Sequence, residues 1–279
     1  MKYPFSIPTS RILALASLPL LALSLTNCKV DENQQLEART WTLTWSDEFE
    51  GPAGESPSSA NWVYNIGTGD NGWGNGEFQY YTDRPQNVSK DGEGNLVITA
   101  RRETFAGSPF TSARITTKER FSQAFGRIEA RLKTPYGPGI WPAFWMLGDD
   151  IDAVNWPQCG EIDIMELRGQ EPNIIHGSIH GPGYSGGAAI TSSYALKNGR
   201  FDTEFHVYAV EWYPDRIDFF VDDFLYNRIS AEDVPGEWVY DQPFFLILNI
   251  AVGGNFVGFP TSQTPLPQKM IIDYVRVYE

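Results

Sequence analysis

Polar and apolar residues alternate with period two along much of this chain, and no stretch repeats at the 3.6-residue spacing of an amphipathic helix. In Phe125–Lys133, Ile128, Ala130 and Leu132 fall on one face, and Arg127, Glu129, Arg131 and Lys133 fall on the other or into a polar cleft. Ile271–Tyr278 repeats the pattern. Further strands are predicted at Trp41–Phe49, Ile174–His180 and Phe224–Ile229, and hairpins at two places. Gln86–Ser89 and Asn95–Arg101 flank Asp91-Gly92-Glu93-Gly94, and Pro214-Asp215 joins His206–Tyr213 to Arg216–Val221. Ile140–Leu147 and Phe244–Val252 are long apolar runs, the first expected to be a central strand buried on both faces. More than ten short strands separated by turns predict an all-β sandwich of two sheets, one of them bent to hold a ligand. The glycine-rich segment 67–77 is too irregular for a phosphate loop and is expected to shape one wall of a cleft.

The segment Gly160–Leu167 carries three carboxylates within six residues. On a strand Glu161 and Asp163 share a face, but strict alternation would send Glu166 into the apolar layer. Burying an unpaired carboxylate is costly, so a β-bulge near Ile164–Met165 is predicted, which returns Glu166 to the acidic face. Alternate neighbours are then about 5–7 Å apart. A carboxyl pair about 5–5.5 Å apart is what retaining glycoside cleavage uses, one group as nucleophile and one as acid/base. Asp163 between them would hydrogen-bond the nucleophile and raise its neighbours' pKa values by like charge; its alternative is structural bonding within the strand. A solvated acidic edge strand is the plainer reading of all three acids, and the interleaved apolar residues and flanking tryptophans weigh against it.

Sugar rings present apolar faces with polar rims, so tryptophan platforms are sought near the acids. Trp141 and Trp145 share a parity on the preceding strand; Trp73 and Trp156 lie in flanking loops. Asn75, Glu77 and Arg101 are polar cleft candidates, and His180 is placed to meet substrate on the leaving-group side. Calcium at the triad is disfavoured because a straight strand wraps an ion poorly. Zinc on His176 and His180 is disfavoured because strand geometry separates them by about 13 Å.

The formal charge of −14 becomes −16 without residues 1–27, which argues against nucleic acid or acidic membranes as partners and suits a neutral polymer. Residues 1–27 hold Lys2, Arg11 and the apolar run Ile12–Leu25, too short for an ordinary membrane span and shaped like an export signal. Leu25-Thr26-Asn27-Cys28 resembles a bacterial lipoprotein signal, with Cys28 lipidated and 28–39 a tether to a domain at 40–279. Cell-surface or outer-membrane anchoring follows, with plain secretion after cleavage near Cys28 as the alternative. Cys159, the only other cysteine, has no activating base in any motif and reads as a buried small hydrophobe.

Glu161-Ile162-Asp163-Ile164-Met165-Glu166 resembles the active-site motif of glycoside hydrolase family 16, in the bulged form typical of laminarinases. Trp73-Gly74-Asn75, Gln79-Tyr80-Tyr81-Thr82, Trp141-Pro142-Ala143-Phe144-Trp145, Asn249–Gly254 and Asp273–Tyr278 agree with it. The resemblance covers residues 40–279. It implies a β-jelly roll with a concave substrate cleft, Glu161 as nucleophile, Glu166 as acid/base, and endo-hydrolysis of β-1,3-glucan by a monomer with no cofactor in catalysis. It also implies a structural calcium on the convex side, held by backbone oxygens at Glu48 and Gly94 and by Asp273. Phe256 stands where laminarinases often carry tryptophan. Mixed-linkage glucan, a marine galactan such as agarose, porphyran or carrageenan, transglycosylation and non-catalytic β-glucan binding are the alternatives.

Overall fold

The structure is a computed structural model that describes residues 39–279. The expected export signal 1–27, Cys28 and the expected tether up to residue 38 lie outside the described residues. Arg39 is described, and its guanidinium rests 4.3 Å from the ring centroid of Tyr213.

Seventeen strands are present among the described residues: β1 Leu43–Asp47, β2 Val63–Asn65, β3 Gln79–Tyr81, β4 Val88–Lys90, β5 Leu96–Phe105, β6 Ser108–Ser112, β7 Arg114–Thr116, β8 Gly126–Lys133, β9 Ile140–Gly148, β10 Glu161–Leu167, β11 Ile174–His180, β12 Ile190–Ala195, β13 His206–Tyr213, β14 Arg216–Val221, β15 Phe224–Ser230, β16 Phe244–Val252 and β17 Gln268–Tyr278. One sheet of seven runs β12-β11-β10-β9-β16-β7-β2. The other, of ten, runs β15-β14-β13-β8-β17-β5-β6-β3, with β1 also on β17 and β4 on β5. The jelly-roll sandwich agrees with the expected fold, except that the pair β3–β6 is parallel where only antiparallel pairing was expected.

The two inner faces supply the core. Ile128, Ala130 and Leu132 of β8 and Val275 and Val277 of β17 are fully buried, as are Leu248, Ile250 and Val252 of β16. Each buried aliphatic side chain contributes about 1.5–3 kcal/mol relative to exposure, and this layer is what holds the sheets together. The polar residues of β8 form an ion-pair row on the opposite face, Arg127 bonding Glu129 at 2.8 Å and Asp223 at 2.8 Å. That face belongs to the ten-stranded sheet.

Strand β9 departs from the expectation of burial on both faces. Its Phe144 and Met146 enter the core, but Trp141 and Trp145 are only half-buried, because the opposite face of the seven-stranded sheet is the cleft. Strands β2, β3, β6, β7 and β12 were not predicted. Three of them are three residues long, too short to display alternation.

The predicted bulge is present in β10. Against β9, Asp163 pairs with Trp145, Met165 with Phe144 and Glu166 with Ala143. One step on β9 thus matches two on β10. Against β11 the step from Ser178 to His176 matches Asp163 to Glu166, again with one residue in excess. Ile162, Ile164, Met165 and Leu167 are all at most 1% exposed, so two consecutive side chains, Ile164 and Met165, enter the core together. The bulge disrupts backbone pairing worth about 1 kcal/mol per bond, whereas an uncompensated carboxylate in the apolar layer would cost several kcal/mol.

Candidate active site

The outer face of the seven-stranded sheet floors a cleft of about 1020 Å³, and Glu161, Asp163 and Glu166 all line it. Gly160 immediately precedes the strand at φ +77°, and a Cβ there would come 2.7 Å from the Phe244 ring, so glycine is what lets the chain turn into β10 without strain. Next to the acids, Trp141 Nε1 donates to Glu166 Oε1 at 2.9 Å. His180, paired with Glu161 across β10 and β11, places Nε2 3.0 Å from Asp163 Oδ2 and 3.6 Å from Glu161 Oε1. On the other side of its ring, Nδ1 accepts the Gly186 N–H at 3.0 Å.

Burial raises all three carboxyls. Glu161 is pushed up to about 8, first by desolvation and then by the charge of Asp163, with His180 opposing. Glu166 is likewise pushed up to about 8 by desolvation and then by Asp163, against the Trp141 hydrogen bond and Arg168. Asp163 rises to about 7 by desolvation, moderated by a hydrogen bond with Glu161. Crowded acids of this kind keep one member protonated while another is an anion, the state that paired acid and nucleophile chemistry needs.

The walls are aromatic. Trp73 and Asn75, from the glycine-rich segment, and Trp145, Trp156 and Phe256 line the cleft. The guanidinium of Arg114 is wedged between two of these rings, 4.6 Å from the Trp73 centroid and 4.7 Å from that of Trp145. A polar chain braces them from beneath: Trp145 Nε1 donates to Asn249 Oδ1 at 2.7 Å, Asn249 Nδ2 to Tyr81 Oη at 3.2 Å, and Tyr81 Oη to Glu77 Oε2 at 3.1 Å. Asn75 Nδ2 donates to the same Glu77 carboxylate at 3.3 Å. Phe256 packs 5.2 Å from Trp141 and 5.4 Å from His176, with the Arg168 guanidinium 4.3 Å from its ring.

Most sequence-predicted site residues therefore converge on one cleft: Glu161, Asp163, Glu166, Trp141, Trp145, Trp73, Asn75, Glu77 and His180. Arg101 does not. It lies on β5 in the other sheet, near Glu103 at 3.9 Å, because β5 pairs with β17 and β6 rather than with any cleft strand. The cation the cleft does contain is Arg114, which the sequence reading missed; it sits opposite Asn249 in a three-residue strand. Cys159 is fully buried and its thiol is pushed up to about 11 by desolvation, in keeping with a packing role.

The resemblance assigns calcium to backbone oxygens at Glu48 and Gly94 and to Asp273 of β17. Glu48 is held by Arg276 through two hydrogen bonds of 2.9 and 2.8 Å, and the Asp273 carboxylate is ion-paired with Arg131. Guanidinium groups thus engage both carboxylates, while the donors that the resemblance assigns at Glu48 and Gly94 are main-chain oxygens. Glu161, Asp163 and His180 bring one possible ligand atom each to within 4.8 Å of one another. Coordination there would need a lone pair on His180 Nε2, whereas the nitrogen of this ring seen to accept is Nδ1, from the Gly186 N–H.

The profile of Glycosyl hydrolases family 16 matches residues 75–276. A beta-glucanase of Rhodothermus marinus is 41% identical over 251 residues, covering 87% of this chain and 86% of that protein. The solved laminarinase catalytic domain of Thermotoga maritima is 46% identical with a TM-score of 0.81, covering 86% of this chain and 99% of that one. The endo-beta-1,3-glucanase of Pyrococcus furiosus matches at 46% identity and a TM-score of 0.81, over 86% and 94% of the two chains. With the bulged acidic strand at the floor of its cleft and these relatives over most of its length, the chain belongs to glycosyl hydrolases family 16.

Proposed function

We propose that this protein is a retaining endo-glycosidase that hydrolyses β-1,3-glucan. The observation that carries the reading is the bulge in β10, which sets Glu161, Asp163 and Glu166 on one surface at the floor of a tryptophan-walled cleft. The preference for β-1,3-glucan rests on the laminarinase and the endo-beta-1,3-glucanase, both at 46% identity.

In the first step the Glu161 carboxylate attacks the anomeric carbon, and the bond to the leaving oxygen breaks as Glu166 gives that oxygen its proton. A glycosyl ester on Glu161 results. In the second step Glu166, now a carboxylate, takes a proton from water; the water oxygen bonds the anomeric carbon and the ester bond breaks, restoring both groups. Asp163 carries a hydrogen bond with Glu161 and keeps charge density high beside it. The Trp141 indole holds Glu166, and the aromatic walls of the cleft suit the apolar faces of pyranose rings.

Incubation with laminarin, lichenan, agarose and carrageenan, with products sized, tests the reading. A ladder of laminarin oligomers from the parent and none from Glu161→Gln supports it. Cleavage of a galactan alone would overturn the substrate, and unaltered laminarin cleavage by Glu161→Gln would overturn the mechanism.

Residues 1–27 and Cys28 support export followed by lipid anchoring at the cell surface, with the catalytic domain at 40–279 working as a monomer without a cofactor. Mass spectrometry of the mature N-terminus tests this: a diacylglycerol-modified Cys28 supports the anchor, and an unmodified N-terminus near residue 28 supports plain secretion.

A further inference from the structure

We propose that the main-chain N–H of Gly186 fixes the tautomer of His180, and that His180 in this form is a positioning residue holding Glu161 and Asp163 for reaction. The role rests on Glu161 being the nucleophile; the tautomer does not. An amide N–H can only donate, and Gly186 N lies 3.0 Å from His180 Nδ1, so that nitrogen presents its lone pair. The ring proton must then be on Nε2. Nε2 is the atom that faces the acids, 3.0 Å from Asp163 Oδ2 and 3.6 Å from Glu161 Oε1.

The aim of the Gly186 N–H is built into the segment that carries it. Gly181 and Tyr184 close on each other by two backbone hydrogen bonds of 3.0 Å. Tyr184 Oη donates to the Glu237 carbonyl at 2.6 Å, and Tyr240 Oη donates to the His180 carbonyl at 2.8 Å. Gly186 itself sits at φ +56° and opens the short turn Gly186–Ala188. The loop and the end of β11 are thereby braced as one unit before the imidazole is reached.

The chemical need is visible at the other end of the ring. Asp163 Oδ2 is buried and receives no in-line hydrogen bond. Burial raises its carboxyl, and a hydrogen bond with Glu161 opposes that rise. Nε2 lies close to Asp163 and Glu161 at once without aiming in line at either, and a small turn of the ring would bring its N–H onto whichever carries the charge. While Glu161 is bound as an ester, Asp163 is the anion; when water releases the sugar, charge returns to Glu161 and the same N–H is in reach. Besides Gly186 and the acids, the ring faces Trp156, at 6.0 Å between centroids.

The chain has three histidines, His176, His180 and His206, so ¹⁵N-histidine spectra of the whole protein are simple to assign, with His180→Gln removing one set of signals. The expected result at neutral pH is a proton on Nε2 of His180 and none on Nδ1. A proton on Nδ1, alone or with one on Nε2, overturns the tautomer. Kinetics test the role: a glutamine amide reaches the position of Nε2, an asparagine amide only that of Nδ1. His180→Gln is expected to keep kcat within about tenfold of the parent and to leave the acidic limb of the pH profile in place. His180→Asn is expected to lose at least a further tenfold and to move that limb to higher pH, since carboxylates without a donor hold protons more tightly. Identical profiles for the two variants would overturn the role. If the parent cleaved no glucan, the hydrolase reading and the positioning role would fall together, and the spectra would still decide the tautomer.

Discussion

Trp141 Nε1 and Glu166 Oε1 are joined by a 2.9 Å hydrogen bond, so one tryptophan both offers a ring face to the cleft and restrains a carboxyl of the acidic strand. The two functions separate in Trp141→Phe, which keeps a ring and loses the donor. A hydrogen bond to a charged group is worth about 1.5–3 kcal/mol, so kcat is expected to fall about tenfold to a hundredfold with a smaller change in KM. Steady-state kinetics on laminarin read both.

The pH profile follows from the raised carboxyls. Glu166 must hold a proton to act as the acid, and desolvation with Asp163 nearby pushes it up to about 8. The free enzyme is expected to lose kcat/KM as pH rises through about 8. The indole donor stabilises the anion and opposes this rise. In Trp141→Phe the alkaline limb is therefore expected at higher pH than in the parent.

The same groups make stability depend on pH. A carboxyl whose folded pKa lies above its unfolded value keeps its proton longer in the native state, so its own contribution to stability is greatest below about 4 and is lost as pH rises through the folded value. For Glu161 and Glu166 the decline runs to about 8. Replacing either by the isosteric glutamine removes it. Thermal melts should show Glu161→Gln and Glu166→Gln more stable than the parent at pH 9, by about 2–4 °C for each kcal/mol relieved, and little different at pH 4.

Double displacement inverts the anomeric carbon twice. Early ¹H spectra of the reaction on a β-1,3-glucan should show the β-anomer at the new reducing end first, with the α-anomer growing only by mutarotation. Initial α-anomer would replace the covalent intermediate with direct attack by water.

Cys159 should be chemically silent in the native fold. Desolvation pushes its thiol up to about 11, and the side chain is fully buried. In a Cys28→Ser chain, iodoacetamide at pH 8 is expected to modify no cysteine until denaturant is added, as mass spectrometry would read. Rapid labelling of the folded chain would contradict the packing role.

The acidic strand was legible because local chemistry alone constrains it: three acids at uneven spacing among apolar residues leave a bulge as the inexpensive arrangement. The long strands β9, β11, β13 and β16 were legible from their runs of apolar or alternating residues. What could not be read was which strands lie side by side. Arg101 and Arg114 look alike in sequence, both polar residues near apolar ones, and only sheet order sends the first to β5 and the second opposite Asn249 in the cleft. The meeting of His180 with Glu161 depends on the register of β10 against β11, a property of two segments and the loop between them. Arg114 had a faint signal in its alternation with Ile115 and Thr116, too brief to distinguish from a turn.

The surplus residue in β10 also gives the chain an unusual tolerance for a missing one. Deleting Ile164 or Met165 would return the segment to plain alternation, with Glu161, Asp163 and the final glutamate still on the cleft side and a single apolar side chain between the acids turned inward. A deletion at Ile162, by contrast, would put the two acids in adjacent positions and drive one of them into the sandwich. Within one strand of seven residues, the centre of the catalytic motif can lose a residue without reversing its faces, and the start of the motif cannot.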